Sequence, residues 1–178
     1  NSVSDEGLEF DDPAGTLTLN TVTVSGSAHN NVYVDVSTGT LSALTVTNGS
    51  YNTTGTTYGA HGILVTARSN ATITTLSITG ASFIDDYGSG VFIDAADTAT
   101  ITSAQISSST FNRSVNTLGN GVTLSQSGSA TLSGSVLNNN LQSAVAHAID
   151  VFSSGTATGG TLNARVTGNT IGTAGTAN

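Results

Sequence analysis

Short runs of alternating apolar and polar residues fill the chain, and one run recurs. A small or polar residue precedes two apolar residues that flank a variable one. The copies are Asn31-Val32-Tyr33-Val34, Gly62-Ile63-Leu64-Val65, Gly90-Val91-Phe92-Ile93, Gly121-Val122-Thr123-Leu124 and Ala148-Ile149-Asp150-Val151. Their starts lie 31, 28, 31 and 27 residues apart. A second run follows at Ala71-Thr72-Ile73-Thr74, Ala99-Thr100-Ile101-Thr102 and Ala130-Thr131-Leu132-Ser133, with weaker forms at Thr40-Leu41-Ser42 and Thr161-Leu162-Asn163. A third comes directly after it, at Leu44-Thr45-Val46, Leu76-Ser77-Ile78, Ala104-Gln105-Ile106 and Arg165-Val166-Thr167. One aromatic or aliphatic residue closes each unit: Tyr51, Phe83, Phe111, Leu141 and Ile171.

A period of two puts alternate side chains on opposite faces of a strand. Each unit therefore predicts three short strands with turns between them. When the unit is one turn of a solenoid, equivalent strands pair in parallel and like side chains stack. The sequence thus predicts an all-β parallel β-helix of about five to six coils. Its interior columns are Ile63/Val91/Val122/Ile149, Val65/Ile93/Leu124/Val151, Ile73/Ile101/Leu132 and Tyr51/Phe83/Phe111/Leu141/Ile171. A β-sandwich also gives short alternating strands, but it does not require one three-strand phrase to recur in register.

The wording of the repeats carries a resemblance. Gly-Asn-Gly-Val-Thr-Leu (119–124), Gly-Ser-Ala-Thr-Leu (128–132) and Thr-Gly-Asn-Thr-Ile-Gly (167–172) resemble the right-handed β-helix repeats of bacterial surface proteins. Autotransporter passenger domains and large repetitive adhesins or filament proteins are similar. The resemblance covers residues 16–178 and implies a right-handed solenoid on the cell exterior. It speaks to fold more than to function.

Residues 1–15 break the pattern. They hold Asp5, Glu6, Glu9, Asp11 and Asp12, together with Leu8, Phe10 and Pro13. The division expected is an acidic segment at 1–15, acting as cap, tail or donated strand, and a β-helix domain at 16–178. Donation would seat Leu8 and Phe10 on a neighbour's open edge, and Ile171 marks the other end of the stack. The expected partners are copies of the chain, or further coils of a longer one.

Composition removes several function classes. Thr (31), Ser (24), Asn (16) and Gly (21) make up 92 of 178 residues, and these are poor helix-interior types. There is no Cys, which excludes disulfides and thiolate metal sites. The net charge is −8 and the strong cations are Arg68, Arg113 and Arg165, so no basic footprint for nucleic acid exists. No apolar run approaches the roughly 20 residues of a membrane-spanning helix.

The remaining candidates are thin. Acid–base chemistry on sugars needs carboxylates a few ångströms apart. Asp35, Asp94, Asp97 and Asp150 are the strand-face acids, and Asp94 and Asp150 fall two coils apart in offset columns. His61 and His147 share a column three coils apart, too far for one metal ion, and His29 is displaced. Asp85 and Asp86, or Asp11 and Asp12, are candidate calcium ligands through their hard oxygens. The Thr-x-Thr runs suggest an ice-binding face, but it decays at Ser42 and Asn163. Tyr33, Leu64 and Phe92, with Tyr58 and Tyr87 nearby, form an outward apolar strip for a subunit, a sister filament or a surface polysaccharide. Asn48, Asn52, Asn70 and Asn112 match the glycosylation acceptor pattern.

The expectation is therefore a non-enzymatic structural protein of the cell exterior, secreted or at the surface. It is a rod module that stacks end to end into a filament or forms part of an adhesin. A carbohydrate-binding or carbohydrate-cleaving β-helix is the alternative class.

Overall fold

The computed structural model describes residues 6–52, 54–55, 59–112, 119–142, 146–154 and 159–172. Its eighteen strands follow one another three to a coil. The first coil holds β1 (Leu8–Asp11), β2 (Gly15–Asn20) and β3 (Thr23–Ser25); the second β4 (Val32–Val36), β5 (Thr40–Thr47) and β6 (Ser50–Asn52). The third holds β7 (Ile63–Ala67), β8 (Thr72–Thr79) and β9 (Ser82–Ile84); the fourth β10 (Val91–Ala95), β11 (Thr100–Ser107) and β12 (Thr110–Asn112). The fifth holds β13 (Val122–Ser127), β14 (Thr131–Leu137) and β15 (Asn140–Gln142); the sixth β16 (Ile149–Ser154), β17 (Thr161–Thr167) and β18 (Thr170–Ile171). Each strand pairs in parallel with its equivalent in the next coil, which makes three six-stranded sheets. The fold is the parallel β-helix that the repeat predicts.

The register stacks like on like. Val32, Ile63, Val91, Val122 and Ile149 form one inward column of the first sheet. Val34, Val65, Ile93, Leu124 and Val151 form the next. Leu41, Ile73, Ile101, Leu132 and Leu162 run through the second sheet. In the third, Val24 heads Tyr51, Phe83, Phe111, Leu141 and Ile171. In the middle coils these side chains are buried almost completely.

Two expectations are corrected. The second and third sequence runs are one strand, because β5, β8 and β11 are continuous eight-residue strands. Two neighbouring residues point outward in mid-strand, Thr74-Thr75 between buried Ile73 and Leu76 and Thr102-Ser103 between Ile101 and Ala104. That slip resets the alternation and makes one strand read as two. Strand β14 has seven residues and no slip, so the register shifts between Ile101 and Ala104 where β11 meets it. The third strand of each coil is instead the short one that carries the closing aromatic.

The second correction concerns residues 1–15. From Leu8 onward this segment forms the first coil of its own chain rather than a tail. Leu8 and Phe10 pair with Val32 and Val34 of their own chain and pack against its core. The acids that set the segment apart are placed by the same alternation, with Glu9 and Asp11 pointing outward.

A single left-handed residue turns the chain from the long strand into the short one in every coil. These are Thr21, Asn48, Gly80, Ser108, Asn138 and Gly168, with φ between 52° and 69°. Asn and Gly tolerate that region best. The next position carries a buried polar ladder. Asn169 Oδ1 accepts from the backbone N–H of Asn139 at 2.9 Å, and Asn139 Oδ1 accepts from that of Ser109 at 2.9 Å. Ser109 Oγ accepts from Ala81 N–H at 3.1 Å. Each side chain satisfies main-chain groups at a corner where no strand can.

The polar ladder ends at Ser109, because Ala81 and Gly49 hold its position in the next two coils, and at Gly49 the space is taken by Tyr51. A Cβ on Gly49 would lie 2.4 Å from the Tyr51 hydroxyl. The phenol fills the place of a ladder side chain, and it has no hydrogen-bond partner among the described residues. Its ring stacks on Phe83 at 5.7 Å, and Phe83 stacks on Phe111 at 4.7 Å. Burial pushes the Tyr51 phenol up to about 12. The neutral form is thus favoured by folding, and that stability is present below the ordinary tyrosine range and lost as pH rises toward 12. Replacing Tyr51 by Phe removes an unsatisfied buried hydroxyl, so it should raise unfolding stability by about 1 kcal/mol. It should also abolish part of the alkaline loss; denaturant titrations of both proteins at neutral pH and near pH 11 measure this.

Candidate functional site

The outward face of the first sheet carries the most varied chemistry. One outward column reads Glu9, Tyr33, Leu64, Phe92, Thr123 and Asp150. The other reads Asp11, Asp35, Thr66, Asp94, Ser125 and Phe152. Tyr33, Leu64 and Phe92 do stack in consecutive coils as the sequence predicts, but they are half-buried rather than open. Tyr58 lies outside the described residues.

Around Phe92 this face deepens into a cavity of about 380 Å³, lined by Gly59, His61, Tyr87, Ser89, Asn120 and Phe152, among others. That is within the usual size of a small-molecule site. The His61 ring rests on Phe92, with centroids 4.9 Å apart. Phe152 reaches it from the sixth coil and is 37% exposed. No pattern in the sequence marks Phe152, which stands at the other outward position, where earlier copies carry Asp35, Thr66, Asp94 and Ser125.

The polar side of the cavity is a second ladder, two residues before each first strand. Glu6 Oε2 accepts from Asn30 N–H at 2.7 Å, and Asn30 Oδ1 accepts from His61 N–H at 2.8 Å. His61 Nδ1 accepts from Ser89 N–H at 2.8 Å, and Asn120 Oδ1 accepts from His147 N–H at 3.1 Å. Asn120 also donates to Thr123 Oγ1 at 3.1 Å and to Asp150 at 3.3 Å. Ser89 and Thr123 share a 2.8 Å hydroxyl bond. Polar residues at one fixed phase were the available signal for this ladder.

The acids are dispersed. Asp94 faces Ser125, and Asp150 lies in the adjacent column two coils beyond Asp94, roughly 10 Å along the axis at the strand spacing. Burial raises the Asp94 carboxyl, against a hydrogen bond from Ser125 that lowers it. Asp35 pairs with Arg68 and accepts from Thr66 Oγ1 at 2.6 Å. Burial likewise raises the Tyr33 phenol. Arg113 lies outside the described residues, and Arg165 is on the second sheet.

The two alternative calcium pairs lie apart, with Asp11 and Asp12 in the first coil and Asp85 and Asp86 after the third. Among the described residues no three His, Cys, Asp or Glu side chains group as metal ligands. Asp12 instead latches a turn: its Oδ1 accepts from the backbone N–H groups of Ser37 at 2.7 Å and Thr38 at 2.9 Å. His61 and His147 occupy one column three coils apart, as expected, while His29 Nδ1 lies 3.9 Å from Glu6.

Of the glycosylation candidates, Asn48, Asn70 and Asn112 are exposed. Asn52 is half-buried and its amide donates to Ser50 Oγ at 2.6 Å. Thr53 of the Asn52 motif and Arg113 and Ser114 of the Asn112 motif lie outside the described residues. The column Thr40, Thr72, Thr100, Thr131 and Thr161 runs through five coils, longer than the Thr array read from the sequence. Its companion column is interrupted where β14 loses a residue.

A family model described as a right handed beta helix region matches residues 7–177. The chain belongs to the right-handed β-helix family. The β-helix accounts for the whole stack, the first coil included. No curated protein and no solved structure matches the chain.

The turn latch yields a test. Backbone N–H groups of Ser37 and Thr38 hold the Asp12 carboxyl below its ordinary value. Its contribution is present above the ordinary carboxylate range and lost as pH falls through the lowered value. Asp12→Asn should therefore lower the melting temperature of the β-helix at neutral pH, and the difference from wild type should shrink toward pH 2. Thermal melts across that range measure it.

Proposed function

We propose that this β-helix is a non-enzymatic structural module of the cell exterior, a rod that extends by adding coils. The observation that carries the reading is the sixth coil. It keeps apolar side chains in most inward columns, and Val151, Val166 and Ile171 there are 36%, 49% and 58% exposed. Exposed apolar side chains of this kind can seat another coil, such as that of a second copy whose first coil presents Leu8 and Phe10. Scarce charge and the absence of lysine suit a passive exterior material. The wide separation of Asp94 and Asp150 supports a role without catalysis.

Sedimentation and electron microscopy of the 178-residue protein test the assembly. The expected result is oligomers or fibres, and the double variant Val166→Asp/Ile171→Asp should sediment as a monomer. A wild-type monomer at all concentrations, or release of reducing or unsaturated sugar ends from polysaccharides, would overturn the reading.

A second reading rests on the cavity over Phe92. Aromatic faces beside amide and hydroxyl groups suit the apolar face of a neutral sugar ring. This would make the rod an adhesin that contacts surface polysaccharide. Glycan-array binding that Phe92→Ala weakens at least tenfold supports it; no binding, or equal binding by the variant, removes it.

A further inference from the structure

We propose that His61 is an acid-sensitive rung, and that its protonation breaks one of the bonds that tie the corner of the third coil to that of the fourth, the one to the Ser89 N–H. The inference does not depend on the function proposed above. It rests on the direction of one hydrogen bond. Side chains of the corner ladder act as acceptors for the main chain of the next coil, and Glu6, Asn30 and Asn120 do so with oxygens. His61 does the same with Nδ1, which accepts from the Ser89 N–H. An imidazole nitrogen accepts only while it carries no proton. The neutral ring therefore holds its single proton on Nε2.

The second proton has one place to go, which is Nδ1. There it turns the acceptor into a donor that faces another donor. Oxygen rungs have no such transition near neutrality, whereas imidazole has an ordinary pKa of about 6.5. The ring packs on Phe92, and the His61 backbone N–H is held by Asn30.

The charged neighbours act on how readily the proton binds, not on where it lands. Asp86 lies in the corner before Ser89, 1% exposed, with Oδ2 beside the Gly62 backbone. Asp85 adjoins it. Below, Glu6 and His29 flank Asn30; above, Asp150 is bonded to Asn120. None of them changes where the second proton lands, which is Nδ1. Because Gly88 and Ser89 border the cavity with His61, the loosened corner is also the wall of that cavity.

Amide hydrogen exchange of the full chain, read by NMR, tests the rung. From pH 7.5 to 5, after correction for intrinsic exchange, protection of the Ser89 amide should fall roughly tenfold, the loss expected for one hydrogen bond. Protection of Gly62 and Gly90, whose N–H groups bond backbone carbonyls, should change less. His61→Asn restores the oxygen acceptor already present at Asn30 and Asn120, and should hold Ser89 protection constant with pH. Constant Ser89 protection in wild type while the His61 ring signals titrate would overturn the proposal. So would a ring still neutral at pH 5, or an equal pH-dependent loss in His61→Asn.

Discussion

Everything in this molecule depends on coil-to-coil pairing in a constant register. A strand of three to eight residues has little stability alone, and it becomes stable only when its backbone groups meet those of the coils on either side. Constant register brings like side chains together in most inward columns, while the outward columns are mixed. The interior then fills with Val, Ile, Leu and stacked aromatics. The corners, which no strand can satisfy, are served by side-chain ladders. Composition follows from this arrangement: β-branched and hydroxyl residues on the strands, Gly and Asn at the left-handed turns, and charge almost excluded from the stack.

Much of this was legible in the sequence because a solenoid writes its contacts at one fixed interval. The columns through Ile63, Val65, Ile73 and Phe83 were read correctly from spacing alone. Reading failed where a strand slips phase, as at Thr74-Thr75, since two adjacent outward residues resemble a turn. It failed again at the first coil. Leu8 and Phe10 obey the alternation, but the acids around them differ from every later copy and hid the repeat. The corner ladders were missed for another reason. Glu6, Asn30, His61 and Asn120 perform one task with three different side-chain types, so no single identity marks the position.

The same logic explains why the candidate site is where it is. Two of the three corners are short and built around left-handed residues, leaving little room for variation. The third, between the short strand and the next first strand, differs in length from coil to coil. It can lean over the outward face of the first sheet without disturbing a single interior column. Aromatic side chains that would be a liability on an open sheet are sheltered there, and a cavity forms between core-like and surface-like chemistry.

Uniform columns also carry a hazard. If every coil is interchangeable, a chain that pairs one whole coil out of place loses little inside. Contacts that occur once remove that ambiguity. The Tyr51 hydroxyl fits only above Gly49, and a Cβ on Gly134 would strike Leu124 at 2.7 Å. Asp35 finds Arg68 in the next coil alone. Such pairs act as index marks: each is energetically minor or even costly, but together they number the coils, and a shifted arrangement would leave each of them mismatched.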